Sequence, residues 1–451
     1  MSPREDLAAR VLELATAVAP GAQAEVHVTS QVRGLTRFAR SFVHQNVVDT
    51  SERIRLRVLV DGSWAAVSTD RADADALLAA VESAVAAARL RKPDPAFPGL
   101  APAAPLASTG NWDDATADAT PDQRAAVVRE FVEAAGGLET AGFVETLRVE
   151  GVYANTAGQS VFGRSTGSAA DGIARVPGPS GIADGVARQG SVRIGDLRGA
   201  DLGRVAAEKA RTAADPVDLP PGDYEVVLEP SCVADLLHFL LDYGFNGRTV
   251  AEGRSFLRPG ERQFDPALAV WDGSDDEWST VLPYDSEGTP RRRLDLIVDG
   301  VSVAVTHDRR TAAAAGASST GHAVEGGERF GPEPLQPRVG AGAGGSTAAL
   351  VSGMRRGLLV TDFWYTRILD PRTAVVTGLT RNGVWLVEDG EIVSPVSTLR
   401  FTQSYPGAVA PGAVLGVGSE PAFVPVRGPE NLVVAPSLHL ARWHITGGAA
   451  G

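Results

Sequence analysis

The sequence of 451 residues contains one cysteine, two lysines and no long apolar run. A disulfide or a paired-cysteine zinc site needs at least two thiols, so Cys232 alone excludes both within the chain. Neither Lys92 nor Lys209 follows a glycine, which excludes the glycine-rich phosphate loop that ends in Gly-Lys. No apolar stretch reaches the roughly 20 residues that span a bilayer, so we expect no transmembrane helix.

Positive charge is scarce, because 42 lysine and arginine residues face 55 aspartate and glutamate residues and give a net charge of -13. An acidic surface repels the phosphates of nucleic acids and of anionic lipids. The run Arg291-Arg292-Arg293 is too short to form a basic stripe. We therefore expect neither a nucleic acid nor a membrane as a partner.

The first residues predict the start of a helix and not a secretion signal. Ser2 is a typical N-cap, Pro3 favours the first turn, and Glu5 completes a capping box. A signal peptide would need a basic start, an apolar centre and a cleavage site. The sparing use of cysteine suits a reducing compartment, so we predict a soluble protein of the cytoplasm.

Proline-rich connectors divide the chain into three predicted domains. Residues 1–110 and 111–222 each combine helices with strand-rich sequence, which predicts an N-terminal and a central α/β domain. Residues 223–451 carry many short strands between turns, which is typical of a sandwich or a barrel. The sequence thus predicts an α+β fold: a mixed α/β N-terminal portion followed by a C-terminal β-rich, sandwich or barrel-like domain.

Hydrophobic periodicity and turn signals place the individual elements. The predicted helices cover residues 72–90, 121–135, 202–214 and 231–243. The predicted strands of the N-terminal half are short and include residues 24–29, 35–38, 42–49 and 54–60. The strongest hairpin turns are Asp61-Gly62, Asn382-Gly383 and Asp389-Gly390.

Two short motifs lack the surroundings that their chemistry needs. Residues 163–167 spell GxSxG, but no apolar helix follows the serine, so we interpret the stretch as a β-turn between strands. Gly340, Gly342 and Gly345 fit GxGxxG, but several prolines interrupt the approach to them. We interpret them as a glycine-rich loop and not as a nucleotide site.

The seven histidines lack the spacing of a helical zinc motif. One face of the helix predicted over residues 231–243 carries Asp235, His238 and Asp242, at positions i, i+3 and i+7. These three side chains could hold a divalent metal. The alternative, and the commoner arrangement, is a polar stripe in which an aspartate satisfies His238. They are the candidate metal ligands, and no residue is identified as catalytic.

A series of short strings spreads over almost the whole chain. The strings are residues 35–40, 44–46, 57–58, 61–62, 68–69, 155–158, 253–256, 285, 287–290, 319–321, 357–361, 363–365, 377–383 and 399–401. In their order and spacing they resemble the TldD/PmbA family of cytoplasmic metalloprotease subunits.

The resemblance implies one of two branches. The TldD branch carries HExxxH on a helix and a downstream cysteine, which bind the catalytic zinc, whereas the TldE (PmbA) branch lacks this set and pairs with TldD. In this sequence His238 matches the first histidine, but Phe239 stands at the glutamate and Tyr243 at the second histidine. No cysteine follows Cys232. Zinc hydrolysis needs about three protein ligands and a base, so the resemblance implies a TldE-like chain.

The leading hypothesis is a noncatalytic subunit of a heterodimeric TldD–TldE zinc metalloprotease that cleaves short or unfolded peptides. The zinc is expected in the HExxxH-bearing partner and no cofactor in this chain, whose residues 223–451 would be a degenerate metalloprotease domain. The residues expected to face the partner or the peptide are His238, Asp242, Arg254, Asp285 and Glu287. The alternatives are a stand-alone metal-dependent hydrolase that uses Asp235, His238 and Asp242, and a homodimeric scaffold without peptidase activity.

Overall fold

The computed structural model describes residues 2–178, 181–426 and 432–448. The helices are α1 (Pro3–Val18), α2 (Ala74–Arg89), α3 (Asp114–Ala117), α4 (Pro121–Ala134), α5 (Gly199–Thr212), α6 (Pro230–Gly244), α7 (Gly247–Ala251), α8 (Arg309–Ala315), α9 (Gly327–Phe330), α10 (Thr347–Ser352) and α11 (Tyr405–Ala408). The strands are β1 (Gln23–Ala39), β2 (Phe42–Val60), β3 (Ser63–Thr69), β4 (Glu139–Asn155), β5 (Ser160–Gly178), β6 (Gly181–Ser191), β7 (Gly222–Leu228), β8 (Val270–Asp272), β9 (Leu294–Val298), β10 (Val301–Ser302), β11 (Pro337–Val339), β12 (Arg356–Asp370), β13 (Val375–Glu388), β14 (Glu391–Pro395), β15 (Leu399–Ser404), β16 (Val414–Val417), β17 (Ala422–Pro425), β18 (Leu432–Ala435) and β19 (Leu438–Gly448).

The structure confirms the α+β class and the barrel-like C-terminal part. Strands β1 to β6 form one antiparallel sheet in the order β3-β2-β1-β4-β5-β6. Strands β12, β7, β19, β15 and β13 close into a five-stranded barrel, because β13 also pairs with β12. A further sheet has the order β10-β9-β8-β11-β18-β17. The first sheet crosses the predicted boundary at residue 110, and the three-domain division stays a prediction.

The helix predictions are confirmed to within three residues at each end. Helix α1 begins with the predicted capping box, in which the Ser2 hydroxyl accepts from the Glu5 amide and the Glu5 carboxylate accepts from the Ser2 amide. Helix α4 begins in the same way, with Thr120 and Gln123. Helix α6 buries its four leucines almost completely.

The predicted short strands of the N-terminal half are wrong in length. Residues 24–29 and 35–38 belong to the single strand β1, and residues 42–49 and 54–60 belong to the single strand β2. The residues between them stay extended because β1 pairs with β2 on one side and with β4 on the other along nearly its whole length. Long-range pairing therefore overrides the weak local signal.

Two of the three predicted hairpin turns are confirmed. Asp61-Gly62 joins β2 to β3 and Asp389-Gly390 joins β13 to β14, with φ of 50° and 80° and of 49° and 81°. The turn at Asn382-Gly383 is wrong, because both residues lie inside β13. There the register with β12 shifts and both residues have positive φ, so the same local conformation forms an irregularity within a strand.

The two glycine motifs also have defined places. The interpretation of residues 163–167 as a β-turn is wrong, because they lie in the middle of β5 and pair with residues 147–151 of β4. No elbow forms there. The glycine-rich loop is confirmed: Gly340, Gly342 and Gly345 lie between β11 and α10. A Cβ on Gly342 would stand 2.5 Å from the Val417 carbonyl oxygen, so close backbone approach requires this glycine.

The first sheet has one face for helices and one for the C-terminal half. Even-numbered residues of β1, such as Val26 and Phe38, join the apolar cores beneath α1, α2, α4 and α5. Odd-numbered residues, such as His27 and Arg33, point the other way, because side chains alternate along a strand. Directly paired residues share a face, so the odd-numbered side chains of β4 extend this second surface.

Candidate functional site

Two cavities lie between the odd-numbered face of the sheet and the C-terminal half. Cavity A has a volume of about 750 Å³ and is lined by charged and aromatic side chains, which include Arg33, Arg37, Glu145, Asp171, Arg188, Asp235, Asp362, Trp364 and Tyr365. Cavity B has a volume of about 330 Å³, and its lining includes His27, Arg55, Leu147, Thr280, Tyr284 and Arg291. Cavity A is the larger and contacts α6, the helix of the sequence-predicted site.

Most charges of cavity A are neutralised by ion pairs within it. Arg188 of β6 donates to both carboxylate oxygens of Asp362 at 2.8 and 2.9 Å, and its Nε lies 2.5 Å from Asp171. Arg33 and Glu145 approach to 2.6 Å. The Arg188 bridge ties the sheet to the barrel strand β12. Sequence reasoning missed it because its residues lie on three strands that no local motif connects.

Asp235 is the one candidate of the predicted helix face that lines cavity A. The Thr366 and Tyr405 hydroxyls donate to its two carboxylate oxygens, each at 2.8 Å. Burial raises the pKa of Asp235 to about 6, although both hydroxyl donors favour the charged form. The carboxylate is thus anchored to the barrel and to α11.

His238 and Asp242 face a different, smaller cavity. The His238 Nδ1 lies 3.1 Å from an Asp242 oxygen, and both residues line a cavity of about 110 Å³ beside Glu333 and Leu335. The three candidate ligands therefore divide between two cavities. Across residues 2–178, 181–426 and 432–448, no three His, Cys, Asp or Glu side chains form a group that could hold a metal ion.

Phe239 belongs to an aromatic cluster at the base of the barrel. Its ring stacks on Tyr243 with centroids 6.2 Å apart and meets Tyr405 edge-on at 5.9 Å. The side chain is only 8% exposed. Tyr405 continues the cluster to Trp443 at 5.6 Å. Position 239 is therefore part of the apolar core that holds α6 against the barrel.

Two exposed aromatic residues stand at the rim of cavity A. Trp364 and Tyr365 are 51% and 63% exposed, although they lie in β12. Tyr365 has a φ of 56°, and the register with β13 shifts beside it. Because an aromatic residue rarely adopts this conformation, the surrounding strands impose it. Arg381 and Arg367 cover the two rings at 4.3 and 4.1 Å, which leaves an aromatic and cationic rim.

The remaining predicted partner- or peptide-facing residues lie elsewhere. Arg254 follows α7 on the surface and pairs with Glu252. Asp285 lies beside cavity B and accepts from three backbone amides, those of Glu287, Thr289 and Ala323. Glu287 lines a narrow cleft and accepts from the Arg309 amide at 3.0 Å. That these residues contact a partner or a peptide stays a prediction.

Glu287 provides a pH-dependent test of the interface between the sheet and the C-terminal half. Burial, and next the charge of Asp285, raise the pKa of Glu287 to about 7. The folded chain thus keeps the proton up to about pH 7, whereas the unfolded chain loses it near pH 4.5. Stability therefore falls as pH rises between these values.

Glu287→Gln should remove this loss. We expect the free energy of unfolding to exceed that of the unmodified chain at pH 8, on the order of 1–3 kcal/mol, with little difference at pH 4.5, in urea titrations. Glu252→Gln is the control, because hydrogen bonds from Arg248 and Arg254 lower the pKa of Glu252. It should give no gain at pH 8, and an equal gain in both variants would contradict the prediction.

Two family models match this sequence. Residues 221–447 match the model of the PmbA/TldA metallopeptidase C-terminal domain, and residues 24–88 match that of PmbA/TldA metallopeptidase domain 1. No curated protein matches the sequence. None of the described helices is both long and apolar enough to cross a membrane.

Solved structures share the fold over nearly the full length. TldE from Thermococcus kodakarensis is 16% identical with a TM-score of 0.88, over 98% of this chain and 100% of that one. A protein from Thermotoga maritima, described as a candidate modulator of a DNA gyrase, is 18% identical with a TM-score of 0.84, over the same shares. A similarly described protein from Bacteroides thetaiotaomicron is 18% identical with a TM-score of 0.81, over 99% of both chains.

The fold and the cavities define a two-part α+β protein in which cavity A lies between an antiparallel sheet and a closed barrel. The family models cover more than half of the residues, including all of the barrel except the last residue of β19. The chain belongs to the PmbA/TldD metallopeptidase family.

Proposed function

We propose that the chain is the TldE-like, noncatalytic subunit of a heterodimeric zinc metallopeptidase of the cytoplasm. The partner subunit would carry HExxxH and the zinc, and the substrate would be a short or unfolded peptide. The observation that carries the proposal is Phe239, which stands where the motif needs a glutamate and is packed between Tyr243 and Tyr405. A benzyl side chain neither accepts a proton from water nor binds zinc.

The donor set around α6 does not fit the zinc that the family implies. His238 pairs with Asp242 away from cavity A, while Asp235 is held by two hydroxyls inside it. Cys232 is fully buried, and its thiol lies against the Val360 carbonyl at 3.5 Å. A catalytic zinc needs three convergent protein ligands and an open position, so we assign no step of hydrolysis to this chain.

Cavity A supports a role in holding the substrate or in closing the cleft of the complex. Its volume of about 750 Å³ has room for several residues of a peptide, and its rim offers the aromatic faces of Trp364 and Tyr365. Its internal ion pairs leave little net charge. Cavity A therefore favours contacts with the backbone of a peptide over contacts with a charged side chain of that peptide. The similarity of fold to TldE from Thermococcus kodakarensis supports the same branch.

Co-expression tests the proposal. The chain is produced alone and together with an HExxxH-bearing chain from the same genome, and both preparations are assayed with an unfolded peptide. We expect copurification in equal amounts and cleavage only by the pair. The matched control replaces the HExxxH glutamate of the partner with glutamine, which should abolish cleavage and preserve copurification.

The same experiment separates the alternatives. Cleavage by this chain alone, abolished by His238→Ala, would contradict the proposal and favour a stand-alone hydrolase that uses Asp235, His238 and Asp242. A stable homodimer that neither binds the second chain nor changes its activity would favour a scaffold. Either result would contradict the proposed heterodimer.

A further inference from the structure

Arg291 is a buried arginine whose hydrogen bonds are incomplete. It follows the turn at Tyr284–Pro290, is only 6% exposed and lines cavity B. Its Nε donates to the Tyr284 carbonyl at 3.3 Å, and its Nη1 has no hydrogen-bond partner within the part of the chain that the structure describes. Within the same residues it forms no salt bridge: the charges of Asp285 and Asp272 act on it, but the carboxylate oxygens of Asp285 accept from three backbone amides.

A second buried arginine, Arg338, has the paired carboxylate that is typical of a structural role. Arg338 is 2% exposed, and its Nε and Nη2 donate to the two carboxylate oxygens of Asp276 at 3.0 and 3.1 Å. A buried guanidinium without such a partner is costly, because it gives up its hydration without compensation. Arg291 has the charges of Asp285 and Asp272 nearby but no such pair, so its Nη1 is a buried donor that an anion from outside can complete.

The surroundings of Arg291 indicate the chemistry of that anion. The buried Thr280 hydroxyl also lines cavity B and, among the described residues, has no hydrogen-bond partner. The other charged groups are already satisfied, since Arg55 pairs with Glu325 and Glu328. Burial, and then the charges of Arg55 and Arg53, lower the pKa of His27 to about 4, so this histidine is neutral at pH 7.

Most of the remaining wall of cavity B is apolar, although Gln31, Ser165 and Glu325 also line it. Leu147 and Val149 of β4 and Leu282 of the facing loop form its walls. An arginine binds a carboxylate or a phosphate through paired hydrogen bonds, but a doubly charged, strongly hydrated phosphate gains nothing from apolar walls. A carboxylate on an apolar body satisfies both parts of the cavity.

We propose that cavity B is a binding site for a small carboxylate with an apolar body, whose carboxylate is held by Arg291 with the Thr280 hydroxyl as a second donor. The carboxylate could belong to a free organic acid or to the C-terminal residue of a peptide, and the chemistry of recognition is the same. The proposal concerns cavity B alone and stands whether or not the chain pairs with a catalytic subunit.

Calorimetric titration of the purified full chain tests the site. The probes are N-acetyl-leucine, its uncharged amide, inorganic phosphate, and an acetylated tri-alanyl-leucine with a free carboxylate. We expect saturable one-to-one binding of at least one of the two leucine acids, at least tenfold weaker binding of the amide, and no binding of phosphate at the same concentration. Tighter binding of the tetrapeptide would identify a peptide C-terminus as the source, and tighter binding of N-acetyl-leucine would identify a free acid.

Arg291→Met separates binding from structure. It should weaken binding of the acids at least tenfold and lower the melting temperature less than Arg338→Met does, because Arg291, unlike Arg338, forms no salt bridge with the carboxylates near it. Arg338→Met should lower the melting temperature. Arg258→Met, on an exposed pair with Glu261, should change neither quantity. Thr280→Val provides a second binding variant, with a severalfold loss of affinity at an undiminished melting temperature.

Several outcomes would overturn the proposal. They are the absence of saturable binding of both acids, equal binding of the acid and the amide, phosphate binding as tight as that of the acids, and unchanged affinity in Arg291→Met. A fall in the melting temperature of Arg291→Met as large as that of Arg338→Met would assign Arg291 a structural role and would also count against it.

Discussion

The Phe239→Glu variant is expected to lose at least about 3 kcal/mol of its free energy of unfolding at pH 8. The substitution restores the amino acid that HExxxH carries at this position, but it removes a buried ring and places a carboxyl group among Tyr243 and Tyr405. The introduced carboxyl should take up a proton on folding, since its charged form is not solvated there. The loss should therefore grow as the pH rises above the ordinary pKa of glutamate.

Urea unfolding at pH 5 and pH 8 measures both effects. Phe239→Leu is the matched control, because it keeps an apolar side chain of similar volume and should cost about 1 kcal/mol at both pH values. A Phe239→Glu variant as stable as the unmodified chain would contradict the interpretation of residue 239 as a core position. It would show that α6 has room for a catalytic carboxylate.

The second large effect concerns the bridge between the sheet and the barrel. Arg188→Met should lower the free energy of unfolding by about 3–5 kcal/mol, because it leaves Asp171 and Asp362 close together without the cation that they share. Burial already raises the pKa of Asp171. The loss should be smaller at pH 5 than at pH 8, since protonation then removes part of the repulsion.

A combined variant distinguishes unpaired charge from lost packing. Adding Asp171→Asn and Asp362→Asn to Arg188→Met should recover a large part of the lost stability, as measured by the urea midpoint at pH 8. Arg204→Met is the control, because its pair with Asp201 is exposed and should be worth less than about 0.5 kcal/mol. A cost for Arg188→Met no larger than that of Arg204→Met would show that the bridge does not hold the two halves together.

Local sequence predicted the helices because their signals are local. The capping boxes at Ser2 and Thr120 and the apolar spacing of α6 depend on residues within one or two turns, and the structure forms them where expected. The strands of the first sheet were predicted too short, because β1 is held extended by partners up to residue 155. The Asn382-Gly383 signal encodes a local conformation but not whether the chain reverses there.

The candidate site could be predicted only where one helix carries it. Asp235, His238 and Asp242 were found from their spacing, but the spacing does not show that Asp235 faces cavity A while the other two face a smaller cavity. The Arg188 bridge and the buried, incompletely hydrogen-bonded Arg291 were not predicted, because both depend on contacts between distant segments. Arg291 stands in a run of three arginines, and only its burial distinguishes it from Arg292 and Arg293.

The zinc content of the purified chain tests the central claim most directly. The chain is exposed to an equimolar amount of zinc, passed through a desalting column and analysed by mass spectrometry of the metal. With an aromatic ring in place of the base and no convergent donor set around α6, the account predicts far less than one zinc per chain. One tightly bound zinc per chain, lost in His238→Ala, would contradict it.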